Sequence, residues 1–197
     1  GAAKTHFSLA LHLDKESLAA ARGLAEVARR RGDAANAELL ARQVLARDPN
    51  YLPALETLAT MAHDRGEWRP AQEWQARLIA AEPEPRAGQY ARLGEIMLHN
   101  GDFHAAERAL RTALQHDPYI YDAHRHLVEL YRQRKLLPKA QAELEFLVRY
   151  FPDVDATVYT SLAEVYRTSG DARAAAAILR KGKRLFPDDA ELNRANP

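Results

Sequence analysis

Residues 87–120 read AGQYARLGEIMLHNGDFHAAERALRTALQHDPYI, and this stretch decides the architecture of the chain because its pattern recurs. Leu93, Ile96 and Met97 lie at i, i+3 and i+4, which is the spacing of one face of an α-helix. Gly101 interrupts this pattern, a second helical segment follows, and a proline closes that segment. The stretch therefore predicts a pair of helices joined by a tight, chain-reversing turn.

Four columns of this pattern occur five times along the 197-residue chain. The units end at prolines spaced by 34 or 35 residues: Pro49, Pro83, Pro118, Pro152 and Pro187. Alanine stands twelve residues before each proline: Ala37, Ala71, Ala106, Ala140 and Ala175. Leucine stands 25 residues before each proline: Leu24, Leu58, Leu93, Leu127 and Leu162. The turn column, seventeen residues before each proline, holds Gly32, Gly66, Gly101, Lys135 and Gly170. A fixed period of this length is typical of a helical repeat array.

Each column has a physical reason. Glycine adopts the left-handed conformation of a reversing chain freely, whereas Lys135 adopts it at a cost of about 1 kcal/mol. Asp33, Asp102 and Asp171 follow turn glycines and can accept hydrogen bonds from free amides of the second helix. Alanine is expected where two helix backbones come too close for a larger side chain, and proline ends the second helix. No alternation typical of a β-strand occurs, so the fold class is all-α.

The third and fifth units match a known motif. The third has Tyr90, Leu93, Gly94, Met97, Ala106, Leu110 and Pro118, and the fifth has Tyr159, Leu162, Ala163, Tyr166, Ala175, Leu179 and Pro187. These spacings resemble the tetratricopeptide repeat, W-x₂-L-G-x₂-Y, then A-x₃-F, then P. The resemblance covers residues 18–187 and implies a right-handed α-solenoid of antiparallel helix pairs, with about five repeats and an N-terminal half-repeat.

The repeat pattern also divides the chain. It predicts a half-repeat helix at 1–17, repeats at 18–51, 52–86, 87–120, 121–155 and 156–189, and a short tail at 190–197. Residues 7–14, FSLALHLD, align with the end of a second helix one period later, so we expect a fragment truncated at its amino end. Gly182 and Lys183 make the last long helix polar, as a terminal repeat requires.

Composition argues against several classes of function. Lys plus Arg is 28 and Asp plus Glu is 27, a balance that disfavours nucleic-acid binding. The absence of cysteine excludes disulfides, thiolate zinc sites and cysteine nucleophiles, and no apolar run reaches the roughly 18 residues of a membrane span. No phosphate-binding, metalloprotease or serine-hydrolase motif occurs, and His124 and His126 are too close for a helical metal pair. We expect no catalysis, no cofactor and no metal.

Aromatic residues outside the repeat columns have two readings. Trp68 and Trp74 are expected to pack, Trp68 in the core. The inter-repeat turn at Tyr119, Ile120 and Tyr121 either staples the junction between two repeats or forms a hot spot for a partner.

The resemblance implies that ligands bind a concave surface lined by the first helix of each repeat. The candidate residues there are Arg92, Glu95, Arg125, Glu129, Arg132, Glu164 and Arg167. Leu98 is also expected to line this surface, because it does not belong to the apolar stripe of its helix. Family members that hold the carboxyl terminus of chaperones use lysine and arginine with asparagine in the column occupied here by glutamate, so that carboxylate clamp is absent. Arg125, Glu129 and Arg132 stand at i, i+4 and i+7, which fits either intrahelical ion pairs or a groove for a peptide of mixed charge.

The sequence thus favours a non-catalytic module that binds a protein or peptide in a mixed-charge groove. The alternative is a carboxy-terminal helical appendage of a larger protein, possibly an enzyme, whose catalytic part precedes residue 1. High alanine and arginine content is typical of a GC-rich bacterial genome, and the compartment, cytoplasm or periplasm, stays open.

Overall fold

A computed structural model describes residue 23 and residues 33–195 of the chain. Residues 33–195 form ten α-helices: α1 (Ala34–Arg47), α2 (Leu52–Asp64), α3 (Trp68–Ala81), α4 (Ala87–His99), α5 (Phe103–His116), α6 (Tyr121–Gln133), α7 (Leu137–Tyr150), α8 (Thr157–Thr168), α9 (Ala172–Leu185) and α10 (Ala190–Arg194). This range contains no β-strand. The predicted half-repeat at 1–17, and the column residues Leu24 and Gly32, lie outside the described residues.

The chain divides into two compact units. The amino-terminal unit runs to Pro85 and includes His99–Gly101, and the carboxy-terminal unit comprises Arg86–Leu98 and the chain from Asp102. In the amino-terminal unit, α1, α2 and α3 bury an apolar cluster around Leu55, which is fully buried.

The core of the carboxy-terminal unit consists of two successive clusters. The first joins α4, α5, α6 and α7 around Leu110 and Leu127, and the second joins α6 to α10 around Leu144 and Leu162. Leu192 of the short helix α10 is fully buried in the second cluster. Within the carboxy-terminal unit, each helix pair thus buries its apolar face mainly against the pairs next to it in sequence, as in a repeat array.

The alanine column lies where the prediction places it. All five alanines are fully buried: Ala37, Ala71, Ala106, Ala140 and Ala175. Each stands one turn into a second helix, at the position where a larger side chain would separate the helices. The alanine column is therefore a packing constraint, as predicted.

The apolar face of α4 differs from the expectation. Ile96 is fully buried, but Leu93 is only half-buried. Leu98 was expected to line the groove, yet it is buried in the same cluster as Leu127 and Leu130 of α6. This correction has a physical cause, because α4 packs a face containing Gly94 and Leu98 on its neighbours, and the gap that Gly94 leaves lets α5 come close.

The turn column behaves as predicted, and its aspartates only in part. Gly66, Gly101 and Gly170 have φ of +68°, +80° and +87°, and Lys135 has φ of +56°. Asp33 and Asp171 accept hydrogen bonds from the amides of Asn36 (3.3 Å) and Ala174 (2.8 Å). The Asp102 side chain makes no such bond, so the prediction of a side-chain cap is wrong there.

The tryptophans are less buried than core residues. Trp68 is half-buried and stacks on the imidazole of His99, with ring centroids 4.0 Å apart. Trp74 packs on the amino-terminal core cluster and lies 5.5 Å from the guanidinium of Arg42 and 4.9 Å from that of Arg77. Both rings therefore lie at the edge of the core, half-buried, rather than in its interior.

A recurring polar contact joins consecutive repeats and was not predicted. The residue before each turn position reaches the residue after the alanine of the preceding repeat. The pairs are Arg65 with Glu38 (2.7 Å), Asn100 with Gln72 (2.6 Å) and Arg134 with Glu107 (3.8 Å). In the last repeat the series stops, because the short side chain of Ser169 bonds to the carbonyl of Tyr166 instead.

Glu107 is the most heavily contacted of these acceptors. Its Oε1 accepts hydrogen bonds from the Tyr131 hydroxyl (2.9 Å) and the Lys139 ammonium (3.0 Å). Burial alone would raise the pKa of Glu107, but the bonds from Lys139 and Tyr131 hold it below its ordinary value. This carboxylate therefore links α5, α6 and α7.

We predict opposite effects for two glycine substitutions within α4. A Cβ at Gly94 would lie 2.5 Å from Leu110 Cγ, whereas a Cβ at Gly88 has Ile120 Cδ1 at 4.0 Å as its nearest contact. Gly94→Ala should lower the free energy of unfolding by roughly 1–3 kcal/mol through overpacking. Gly88→Ala should leave it unchanged or raise it by up to about 1 kcal/mol, because alanine favours helix. Urea denaturation of both variants is the measurement, and equal midpoints would contradict the close approach of α4 and α5.

Lys135 gives a second stability prediction. Lys135→Gly should raise the free energy of unfolding by about 1 kcal/mol, because glycine adopts the positive φ without steric cost. The matched control is Lys135→Ala, which removes the long side chain but keeps a Cβ, and it should not stabilise the protein. Thermal melts of the two variants separate relief of backbone strain from loss of the charge.

Candidate functional site

The seven predicted groove residues all lie on three helices of the carboxy-terminal unit. Arg92 and Glu95 are on α4; Arg125, Glu129 and Arg132 are on α6; Glu164 and Arg167 are on α8. Glu95 and Glu129 are half-buried, and the other five are exposed. The structure thus places charges of both signs on the surface of the first helices of three repeats.

The predicted intrahelical pairing along α6 is not what holds Arg132. Its guanidinium crosses to α8, where Nη2 donates to the Glu164 carboxylate (2.5 Å) and Nη1 donates to the Ser161 hydroxyl (3.3 Å). Glu129 accepts a hydrogen bond from Gln133 of its own helix (3.2 Å). Arg132 therefore connects the first helices of two consecutive repeats. The spacing of residues within α6 could not predict this contact.

Arg125 is held more loosely. Its Nε lies 3.9 Å from Asp122 Oδ1, which is a long ion pair, and its Nη2 lies 3.1 Å from His126 Nε2. Because a guanidinium only donates, this contact requires His126 Nε2 to be an acceptor and the ring to be neutral. Arg125 therefore has donors left to offer a ligand.

His126 is a buried imidazole among the groove charges. Glu95 lies 3.7 Å from its Nε2 and Glu129 lies 3.9 Å from its Nδ1. Burial lowers the pKa of His126 below its ordinary value, and the charge of Arg125 lowers it further, while the two glutamates act in the opposite direction. The outcome is a neutral histidine, consistent with its acceptor role towards Arg125.

A cavity of about 590 Å³ opens between α6 and α8. Its apolar wall is formed by Val128, Leu144, Leu147 and Val158, and its polar wall by Arg125, Glu129, Arg132, Gln133, Asp155, Thr157 and Ser161. The volume falls in the range of small-ligand pockets and exceeds what one large side chain needs. Three of the predicted residues, Arg125, Glu129 and Arg132, thus line one cavity that has both a polar and an apolar wall.

Asp155 is a cavity residue that sequence reasoning missed. It lies in the turn before α8, where Oδ1 accepts from the Thr157 amide (2.8 Å) and Oδ2 accepts from the Tyr121 hydroxyl (3.0 Å). Burial, together with the Asp155 charge, raises the pKa of Tyr121 to about 12, so the hydroxyl keeps its proton and donates. No column of the repeat distinguishes Asp155, and only the fold places it beside Arg125.

The other four predicted residues do not line this cavity. Glu164 borders it indirectly through Arg132, whereas Arg92, Glu95 and Arg167 lie elsewhere on their helices. The sequence also missed the apolar wall, because Val128 and Leu147 belong to the helix stripes that normally form the core. In the part of the chain that the structure describes, no three metal-ligating side chains cluster and no helix is long and apolar enough for a membrane span.

Two protein-family profiles match the repeats of this chain. The profile of one family described as Tetratricopeptide repeat matches residues 97–160, and that of another with the same description matches residues 156–189. These ranges include α5 to α9 and the cavity between α6 and α8. Residues 97–189 therefore belong to the tetratricopeptide repeat family.

Several solved structures share the fold of this chain. A crystal structure of MamA matches with a TM-score of 0.80 at 22% identity, covering 93% of this chain and 99% of that one. YrrB, described as a TPR protein with an unusual peptide-binding site, matches at 0.77 and 15% identity, covering 94% of both chains. PilW, described as a widely conserved type IV pilus biogenesis factor, matches at 0.73 and 18% identity, covering 95% of this chain and 86% of that one. The curated protein sequences contain no match to this chain.

The all-α fold of helix pairs and the family are thus as predicted from the sequence. The fold class of this tetratricopeptide repeat protein is the α-solenoid. Proteins with this repeat fold generally serve as protein–protein interaction modules.

The histidine in the groove gives a prediction with two opposite signs. Arg125→Gln should raise the pKa of His126, and Glu95→Gln should lower it further, because each removes one of the charges that act on the ring. NMR titration of the imidazole protons measures both shifts. Because the folded-state pKa lies below the ordinary 6.5, the contribution of His126 to stability is complete above about pH 6.5 and is lost as the pH falls towards the folded-state value. Shifts of the same sign in the two variants would contradict the geometry around His126.

Proposed function

We propose that this tetratricopeptide repeat protein is a non-catalytic module that binds a peptide segment of a protein partner in the groove of α4, α6 and α8. The segment carries a large apolar side chain and charges of both signs. The observation that supports this proposal is the cavity between α6 and α8, where an apolar wall meets Arg125, Glu129 and Asp155. Apolar pockets with a few fixed polar groups are the usual form of a binding site.

The cavity wall suggests how the ligand lies. An apolar side chain that leaves water would enter the cavity on the side of Val128, Leu147 and Val158. The rim then holds the flanking charges. Arg125, whose ion pair is long, would bind a carboxylate, because a charge-assisted hydrogen bond between arginine and carboxylate is stronger than one between neutral groups.

The acidic rim sets the other half of the specificity. Glu129 and Asp155 would bind a lysine or an amino group of the ligand, and like-charge contacts would reject a ligand with acidic residues at that end. The remaining predicted residues, Arg92, Glu95, Glu164 and Arg167, would extend this mixed-charge surface along α4 and α8. We do not expect chaperone carboxyl termini to bind, because glutamate replaces the asparagine of the carboxylate clamp. We likewise expect neither nucleic acid nor a cofactor as a ligand, since the charge of the chain is nearly balanced.

Two polar side chains of the cavity are already held by hydrogen bonds, which favours binding. Arg132 is held by Glu164 and Ser161, and Asp155 is held by Tyr121 and Thr157, so little side-chain freedom is lost when a ligand binds. The peptide-binding site stated for YrrB shows that a structure of this fold can bind a peptide, and it assigns no ligand to this chain.

The test is a pair of groove variants against a partner recovered by pull-down and identified by mass spectrometry. Arg125→Glu should weaken binding by more than about tenfold, because an attraction becomes a repulsion. Ser161→Trp should weaken it similarly by filling the cavity. Isothermal titration calorimetry with a peptide of the partner measures both, and circular dichroism checks that the helices persist.

The matched control is Arg108→Glu, an exposed charge reversal on α5 that does not line the cavity. It should leave the affinity nearly unchanged. A peptide that binds the parent, Arg125→Glu and Ser161→Trp equally well would overturn the groove as the site.

A further inference from the structure

Three aromatic side chains form an exposed cluster away from the groove cavity. Tyr119 lies in the turn between α5 and α6, and Phe146 and Tyr150 lie one turn apart on α7. The ring centroids of Tyr119 and Tyr150 are 5.3 Å apart, and those of Phe146 and Tyr150 are 4.5 Å apart. Tyr119 is 56% exposed and Tyr150 is 43% exposed, so the cluster presents apolar area to solvent although its rings pack on one another.

A buried histidine fixes this cluster from below. The His124 ring stacks on Phe146 at 4.0 Å. Its Nδ1 lies 2.6 Å from the Glu143 carboxylate and its Nε2 lies 3.0 Å from the carbonyl oxygen of Pro118. The turn that carries Tyr119 and the helix that carries Tyr150 are thereby joined, so the aromatic cluster is rigid before any partner binds.

The repeat pattern continues this surface into the next repeat. Leu185 stands one repeat after Tyr150, whereas the position one repeat after Tyr119 is Asp153, and the exposed Val154 follows it. Tyr119, Tyr150, Val154 and Leu185 are the exposed large apolar side chains in the described part of the carboxy-terminal unit. Earlier repeats have mostly polar residues in the same two columns: Arg47, Asn50, Glu84 and His116. We call Tyr119, Phe146, Tyr150, Val154 and Leu185 the tyrosine surface.

Two exposed arginines lie next in sequence to residues of the tyrosine surface. Arg149 and Arg184 stand one repeat apart, next in sequence to Tyr150 and Leu185, and both are exposed. The Arg149 guanidinium lies 5.3 Å from the Tyr150 ring centroid. Among residues 33–195, no carboxylate forms an ion pair with either arginine. An apolar surface beside two arginines that make no ion pair within residues 33–195 is complementary to an apolar segment with negative charges.

We propose that the tyrosine surface is a second binding site, which takes an acidic amphipathic helix of a partner protein. The apolar side of that helix would cover Tyr119, Phe146 and Tyr150, and its carboxylates would bind Arg149 and Arg184. Tyrosine, arginine and rigid aromatic clusters are the groups that contribute most to protein interfaces. This site does not depend on the groove, since none of its residues lines the cavity between α6 and α8.

The experiment uses two labelled synthetic helices that differ only in charge. Both have leucines at i, i+4, i+7 and i+11, and the acidic probe has glutamates where the basic probe has lysines. Fluorescence anisotropy should show that the parent protein prefers the acidic probe by about tenfold or more. The double variant Arg149→Glu with Arg184→Glu should reverse that preference. Loss of folding cannot produce a reversal, so this result tests the site itself.

Two further variants locate the contact. Tyr119→Ser with Tyr150→Ser should weaken binding of both probes, while Arg108→Glu, a charge reversal outside both sites, should bind the acidic probe as the parent does. Equal affinity of the parent for the two probes would overturn the proposal, and so would loss of binding in Arg108→Glu alone. Self-association of the parent that the tyrosine variant abolishes, without probe binding, would also overturn it in favour of a second copy. Binding only to phosphatidylserine vesicles would overturn it in favour of a membrane surface.

Discussion

The contact on which the rest of the structure depends is the close approach of helices at the alanine column. In every repeat that alanine is fully buried, and in α4 the space left by Gly94 is filled by Leu110 of α5. Because no larger side chain fits, the distance between paired helices is fixed by small residues rather than by adaptable large ones. This fixed spacing also fixes the positions of the side chains on the surface of the helices. Arg132 can reach Glu164, and Tyr121 can reach Asp155, only because the helices that carry them stand at one spacing.

The repeat columns predict the fold because the residue type in each column is determined by a steric requirement within one helix pair. The left-handed turn at Lys135 and the buried alanines follow from backbone sterics and volume, which the residue types alone determine. Predictions fail where a side chain has a choice of neighbour. Leu98 turns to the core because α4 packs on α6, and Asp102 begins α5 without capping it with its side chain. Periodicity shows which face is apolar, but it does not show how wide that face is.

The candidate site shows the same division. The charged residues on α6 could be found from the sequence, whereas their partners could not. Spacing along α6 favours bonds between Arg125, Glu129 and Arg132, yet Arg132 bonds to Glu164, 32 residues away in sequence. The contact between Arg65 and Glu38 was missed for the same reason, because it joins two repeats. Comparing the two columns that supply these pairs, arginine with glutamate or asparagine with glutamine, would have revealed it.

Leu192 has a consequence for how this protein opens. The five-residue helix α10 is too short to hold itself by backbone hydrogen bonds, so its order depends on two contacts with α9: Leu192 fills the space above Gly182, and the Lys183 ammonium donates to the carbonyl of Ala195 (3.0 Å). Release of that one side chain would uncover Tyr159 and Gly182 together, since a Cβ at Gly182 would touch both Tyr159 and Leu192. Local opening of α10 would then expose the adjacent α9 and α8, so the amides of this pair would exchange with solvent at a rate that depends on the contacts of α10.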